Sequence, residues 1–138
     1  MNSSDIRTTV RRFFGEIWEE NDKSKVPDLL LPTFKFRGSL GVIRTGRNEF
    51  TQYVDYIHRS LGKYRNEVLD IIVEDDRAFA RIQISGDHRG DFLGYPPTGK
   101  RLKWYGTMLF RIREGKIDEV WALGDIHGLM QLLDQNAA

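Results

Sequence analysis

The chain has 138 residues, 40% of them hydrophobic, which describes one ordinary domain able to bury a core without metal or disulfide staples. Lys and Arg number 21 against 20 Asp and Glu, and no block of five like charges occurs, so nucleic acid and anionic membranes are poor partners. Cysteine is absent, which removes thiol nucleophiles, thiolate metal sites and disulfides and fits a cytoplasmic protein; no run of about 18 apolar residues exists to cross a bilayer, and no apolar leader is legible.

Ile6, Val10, Phe13, Phe14, Ile17 and Trp18 recur at helical spacing behind Ser3-Ser4-Asp5, a cluster able to cap the first amides. They predict a first helix ending near Asn21-Asp22. A short second helix is expected over 25–30, with Pro27 in its first turn and Pro32 closing it. Phe34 and Phe36 alternate with Lys35 and Arg37 as in a short strand, and Gly38, Gly41 and Gly46 mark a loop after it. Phe50, Tyr53, Val54, Ile57 and Leu61 form the stripe of a third helix, with Gly62 at its expected C-terminus.

The pattern then becomes β. Strands are predicted over 67–74 and 78–85 about the turn Asp75-Asp76, and over 102–113 and 116–123 about the turn Glu114-Gly115. A last helical stripe comprises Ile126, Leu129, Met130 and Leu133. Segregated helices and strands predict a single α+β domain over residues 1–138, three N-terminal helices packed on a curved, mainly antiparallel sheet and a short C-terminal helix. Strand parity puts Leu102, Trp104, Met108, Phe110 and Ile112 on one face. It likewise places His88 with Ala78, Ala80, Ile82 and Ile84, and Asp125 with Ile117, Trp121 and Leu123.

The run GDHRGDFLGYPPTGKRLKWYGTMLFRIREGKIDEVWALGDIHGLMQLL, residues 86–133, resembles the SnoaL-like polyketide cyclases, also called predicted ester cyclases. It carries their G-x-H-x-G-x-x-x-G-x-P-P-T-G stretch from Gly86 through His88, Gly90 and Gly94 to Gly99, the R-x-x-x-G-K-I turn at Arg111 to Ile117, and W-x-x-x-D at Trp121 and Asp125. The stretches EIWEENDKSKVPDLLLPTFKFRG and GRNEFTQYV extend the likeness more loosely through the N-terminal half. The resemblance implies the cone-shaped fold of the nuclear transport factor 2 and ketosteroid isomerase superfamily, usually a homodimer joined through its sheets. It also implies acid/base chemistry with neither cofactor nor metal, an intramolecular aldol closure or an isomerisation of a hydrophobic carbonyl compound.

On that resemblance Asp125 is the general base, since a carboxylate can deprotonate a carbon flanked by two carbonyls. Asp125 also immediately precedes the last helical stripe, where an N-cap is worth about 1 kcal/mol. His88 is the candidate to bind the substrate carbonyl or return the proton, or else to tie its loop to a backbone group. Trp104, Met108, Trp121, Phe14 and Trp18, with Tyr53, are candidates for the wall of an apolar pocket, although aromatics at these spacings also fill cores. Pro96-Pro97-Thr98-Gly99 is expected to turn the chain into the third long strand and to approach the pocket rim. Two positions depart from the family: Met108 stands where active cyclases present a histidine, and Arg37 replaces the histidine of an F-x-H-G motif. A non-catalytic module holding a small hydrophobic molecule is the alternative function, and a structural domain with a filled cone is a third.

Overall fold

The computed structural model describes residues 1–138. Helix α1, Ser3–Arg12, starts at Asn2, whose Oδ1 accepts from the Asp5 amide while the Asp5 carboxylate accepts from the Asn2 amide. The expected cap thus lies one residue upstream of the serines. The helix runs into a π-helical segment, Phe13–Glu19, whose wider turn keeps Phe13, Phe14, Ile17 and Trp18 all buried. A 3₁₀ turn, Lys23–Lys25, and helix α2, Val26–Leu29, then deliver the chain to strand β1, Leu30–Arg37.

Strand β2, Ile43–Thr45, follows within the region expected to be glycine loop, then helix α3, Gly46–Ser60. Gly62 does not cap that helix: it lies inside strand β3, Leu61–Glu74, which begins six residues earlier than its sequence pattern indicates. Strands β4, Arg77–His88, β5, Arg101–Arg113, and β6, Lys116–Gly124, complete the sheet, and helix α4, Ile126–Ala137, ends the chain. The strand order is β2-β1-β6-β5-β4-β3, antiparallel except for the parallel pairing of β1 with β6.

One face of this sheet carries the core. Phe13 stacks on Phe50 at 5.8 Å and meets the Phe110 ring edge-on at 5.4 Å, joining the π segment, α3 and β5. The parity expected for β4 and β5 holds: Ala78, Ala80, Ile82 and His88 are buried, as are Leu102, Met108, Phe110 and Ile112.

On β6 the parity changes. Ile112 pairs with Ile117 but Arg111 pairs with Glu119, so Asp118 is an extra residue in the ladder. Beyond that bulge Val120 and Ala122 point inward, while Trp121 and Leu123 are 46% and 48% exposed on the outer face. The expectation that Ile117, Trp121, Leu123 and Asp125 share an apolar side is therefore corrected by a one-residue slip, which turns every later side chain over.

The glycines of the Gly86-x-His88-x-Gly90 motif serve close approach. A Cβ at Gly90 would stand 2.5 Å from the Arg59 carbonyl oxygen, and one at Gly86 would stand 2.8 Å from Leu61 Cβ. They seat the end of β4 against the junction of α3 and β3. The tight turn beyond lies at Leu93-Gly94, both at positive φ, where Phe92 and Tyr95 bridge. Residues 96–99 are irregular and are pinned to His88: its amide donates to the Lys100 carbonyl, and its carbonyl accepts from the Gly99 amide.

Candidate functional site

An apolar cavity of about 290 Å³ lies between the concave face of the sheet and the helices, and 16 of its 19 lining residues are hydrophobic. Three adjacent strands build one wall: Ile84 pairs across the ladder with Trp104, and Met108 with Ala122. Trp18, Tyr53, Tyr56 and Ile57 form the opposite wall from the π segment and α3, and Ile126 and Leu129 of α4 close one side. The cavity opens toward the β1–β2 connection, where Leu40 and Val42 line it and are 63% and 53% exposed.

Aromatic contacts hold this shape. Trp18 meets Tyr53 edge-on at 5.9 Å, Tyr53 lies over Tyr56 at 6.3 Å, and Phe92 faces Trp104 at 6.1 Å. Polar groups are few. The Trp18 indole N–H is buried without a partner. The Tyr64 hydroxyl donates to Asn66 Oδ1 at 2.9 Å, and its burial pushes its pKa far up, the Asn66 bond offsetting only part of this. Burial also raises the pKa of Tyr53, against the opposing charge of Arg44, whose guanidinium carbon is 3.7 Å from the Tyr53 ring centre. Both phenols are neutral at physiological pH; the Tyr64 proton is committed to Asn66, so the Tyr53 hydroxyl and the Trp18 indole N–H are left as donors for a ligand oxygen.

Of the residues expected at a pocket, Trp18, Tyr53, Trp104 and Met108 come together in the lining. Phe14 is buried in the core behind them, edge-on to Phe110 at 5.7 Å, and does not line the cavity. Trp121 lies on the outer face of the sheet under the Arg37 guanidinium, at 4.6 Å, because of the β6 bulge. Arg37 is accordingly only partly solvated, and its Nη1 donates to the Ala122 carbonyl.

Asp125 is exposed at the start of α4, where its carboxylate accepts from the Gly128 amide at 2.9 Å. It is not in the lining, although both its neighbours touch that lining: Ile126 belongs to it, and the Gly124 amide donates to Ser39 Oγ at the open end. His88 is fully buried, with Nε2 3.2 Å from the Tyr95 carbonyl oxygen and Nδ1 3.4 Å from Thr98 Oγ1. Its ring stands behind Phe92, which it meets at 6.4 Å, and Phe92 is the residue that faces the cavity. His58, unassigned in sequence, lies with Nε2 2.5 Å from the Trp18 carbonyl oxygen, and His127 is exposed.

Arg44, Ser39 and Tyr64 were not legible as site residues. Arg44 sits on a strand of three residues with no alternation to betray it, and Tyr64 lies ahead of the residues whose alternation marks β3. No group of three or more His, Cys, Asp or Glu side chains is arranged to hold a metal ion, and no helix is long and apolar enough to cross a membrane.

The family profile of SnoaL-like polyketide cyclases matches residues 8–133. Among solved structures, a protein from Jannaschia sp. CCS1 assigned to the SnoaL-like polyketide cyclases superposes with a TM-score of 0.87 at 21% identity, over 94% of this chain and 92% of that one. TsrD from Streptomyces laurentii gives 0.85 at 22% identity, over 96% and 97%. IdmH from Streptomyces antibioticus, described as a proposed polyketide cyclase, gives 0.81 at 21% identity, over 93% and 97%. At these identities the likeness is one of fold. The sequence has no match among curated proteins.

Proposed function

Because the chain belongs to the SnoaL-like polyketide cyclase family, we propose that its cavity receives a small, flat hydrophobic molecule bearing a carbonyl oxygen. The observation that carries this reading is the cavity itself: a filled cone would leave no such space, and this one is walled by Trp18, Tyr53, Trp104 and Met108 and open at one end. Apolar walls supply affinity, and the few hydroxyl and indole donors orient the oxygen. The test is a thermal-shift panel of naphthalene and anthracene ketones, steroids and fatty acids. Stabilisation by the aromatic ketones supports the reading, because binding to the native state raises the midpoint, and a panel without any response overturns it.

A second reading makes the protein an enzyme, favoured by the position of Asp125 between two segments that touch the lining. Its carboxylate takes a proton from a carbon flanked by two carbonyls, and the enolate adds to a second carbonyl of the same molecule, forming the ring bond. The new alkoxide takes its proton from water, both His88 nitrogens being engaged within their own loop, and the hydroxide so formed takes back the proton held by Asp125, which restores the water and the carboxylate. The reaction is redox-neutral and consumes no co-reactant.

The outer face supports a homodimer joined through the sheets. Ile72, Phe79, Leu109 and Trp121 are register partners in one continuous row across β3, β4, β5 and β6, and all four are exposed. An apolar row of this kind marks a contact surface.

A further inference from the structure

Arg44 is the one charged side chain in the cavity lining. Pairing puts it there: β2 runs antiparallel to β1 with Arg44 directly opposite Phe36, and residues directly opposite share a face. Phe36 points into the core, so Arg44 points the same way, while Ile43 and Thr45 on either side are exposed. A guanidinium turned inward from an edge strand and half-buried is only partly served by water, and an acceptor or an anion would complete its hydrogen bonding.

The other partly buried arginines have found one. Arg12 pairs with the Glu16 carboxylate, Arg37 donates to the Ala122 carbonyl, and Arg47 to that of Leu30. Arg44 takes part in none of the protein's ion pairs. Its close contact is with the face of Tyr53, which leaves the nitrogens at the guanidinium edge free. Ser39 lines the same open end, and its Oγ accepts from the Gly124 amide, so its own proton remains available to donate. Arg44, Tyr53 and Tyr56 also border a shallow open groove outside the cavity, so the cation stands between the apolar interior and water.

We propose that Arg44 receives a carboxylate on the hydrophobic ligand, assisted by Ser39, so that the cavity selects acidic aromatic or polyketide-like molecules over neutral ones of the same shape. This rests on the cavity being a ligand site. The apolar skeleton lies among Trp18, Trp104 and Met108, and the acid group stays at the mouth, where the bidentate guanidinium fork fixes its orientation.

Calorimetric titration with 2-naphthoate and with 2-acetylnaphthalene tests this, the two probes sharing a ring system and differing in charge. The wild-type protein is expected to bind the carboxylate about tenfold more tightly. In Arg44→Met the carboxylate loses its advantage and the two affinities converge, and Arg44→Lys restores part of the preference. Added salt weakens only the carboxylate. Equal affinities in the wild type, or a preference that survives Arg44→Met, overturn the assignment. An inward charge can also guard an edge strand against pairing; self-association of Arg44→Met with its preference intact is that result and rejects the proposal. If neither probe binds the wild type, the ligand-site reading fails and this one falls with it.

Discussion

His88 Nε2 lies 3.2 Å from the carbonyl oxygen of Tyr95, and this bond closes the loop that places Phe92 and Leu93 on the cavity wall. The ring is completely buried and its other nitrogen faces Thr98, so the loop is organised around it. His88→Ala is expected to lower stability by about 2–3 kcal/mol in urea denaturation, through the lost hydrogen bonds and the space left behind. Unchanged stability would remove His88 from this structural role.

Asp125 and Gly128 form a second pair. A Cβ at residue 128 would come within 2.4 Å of Asp125 Oδ2, so glycine is what lets the carboxylate lie over the helix start. Asp125→Ala is expected to cost about 1 kcal/mol of stability, and Asp125→Asn much less, asparagine being a good cap. Gly128→Ala displaces the carboxylate but gains helix propensity, so it is nearly neutral in the wild type and stabilising in Asp125→Ala. A double-mutant cycle should give a coupling of about 1 kcal/mol. With a cyclisable diketone, turnover lost in the stable Asp125→Asn protein supports the general base, and normal turnover eliminates it.

Gly90 bears directly on the seating of β4. Because the Arg59 carbonyl blocks any side chain there, Gly90→Ala is expected to destabilise by more than about 2 kcal/mol. Gly94, with nothing near its Cβ position, pays only for its positive φ, and Gly94→Asn should be tolerated. Thermal midpoints of the two variants would decide whether close approach or backbone freedom dominates in this motif.

Alkaline stability follows from Tyr64. Its folded pKa is raised by burial, so above the ordinary tyrosine value of about 10 the unfolded chain loses a proton that the folded chain keeps. The contribution is complete below that pH, and stability falls by about 1.4 kcal/mol per unit above it. Tyr64→Phe should be about 1 kcal/mol less stable at neutral pH, from the lost bond to Asn66, but should show a shallower fall between about pH 10 and 11. Parallel slopes in the two proteins would contradict this.

The row from Ile72 to Trp121 predicts the state of assembly. Leu109 is at its centre, paired with Phe79 on one side and Trp121 on the other, and 39% exposed. Leu109→Glu should shift a sheet-to-sheet dimer to monomer in sedimentation while keeping the thermal midpoint of the isolated subunit. A wild-type protein that sediments as a monomer would reject the dimer.

By itself the sequence determined what local periodicity and contact-free chemistry can carry: the order of the helices and of every strand but the short β2, the inward face of β4 and β5, and a motif specific enough to indicate the family. These survive because side-chain alternation and helical spacing are set residue by residue. Tertiary structure alone decided the site. A single extra residue at Asp118, accommodated by pairing with β5, turned Trp121 to the outside and left Asp125 exposed at the cap of α4. Pairing with Phe36, eight residues away across a loop, turned Arg44 inward. Both outcomes depend on strand register, and register is fixed by which partners the chain meets in space.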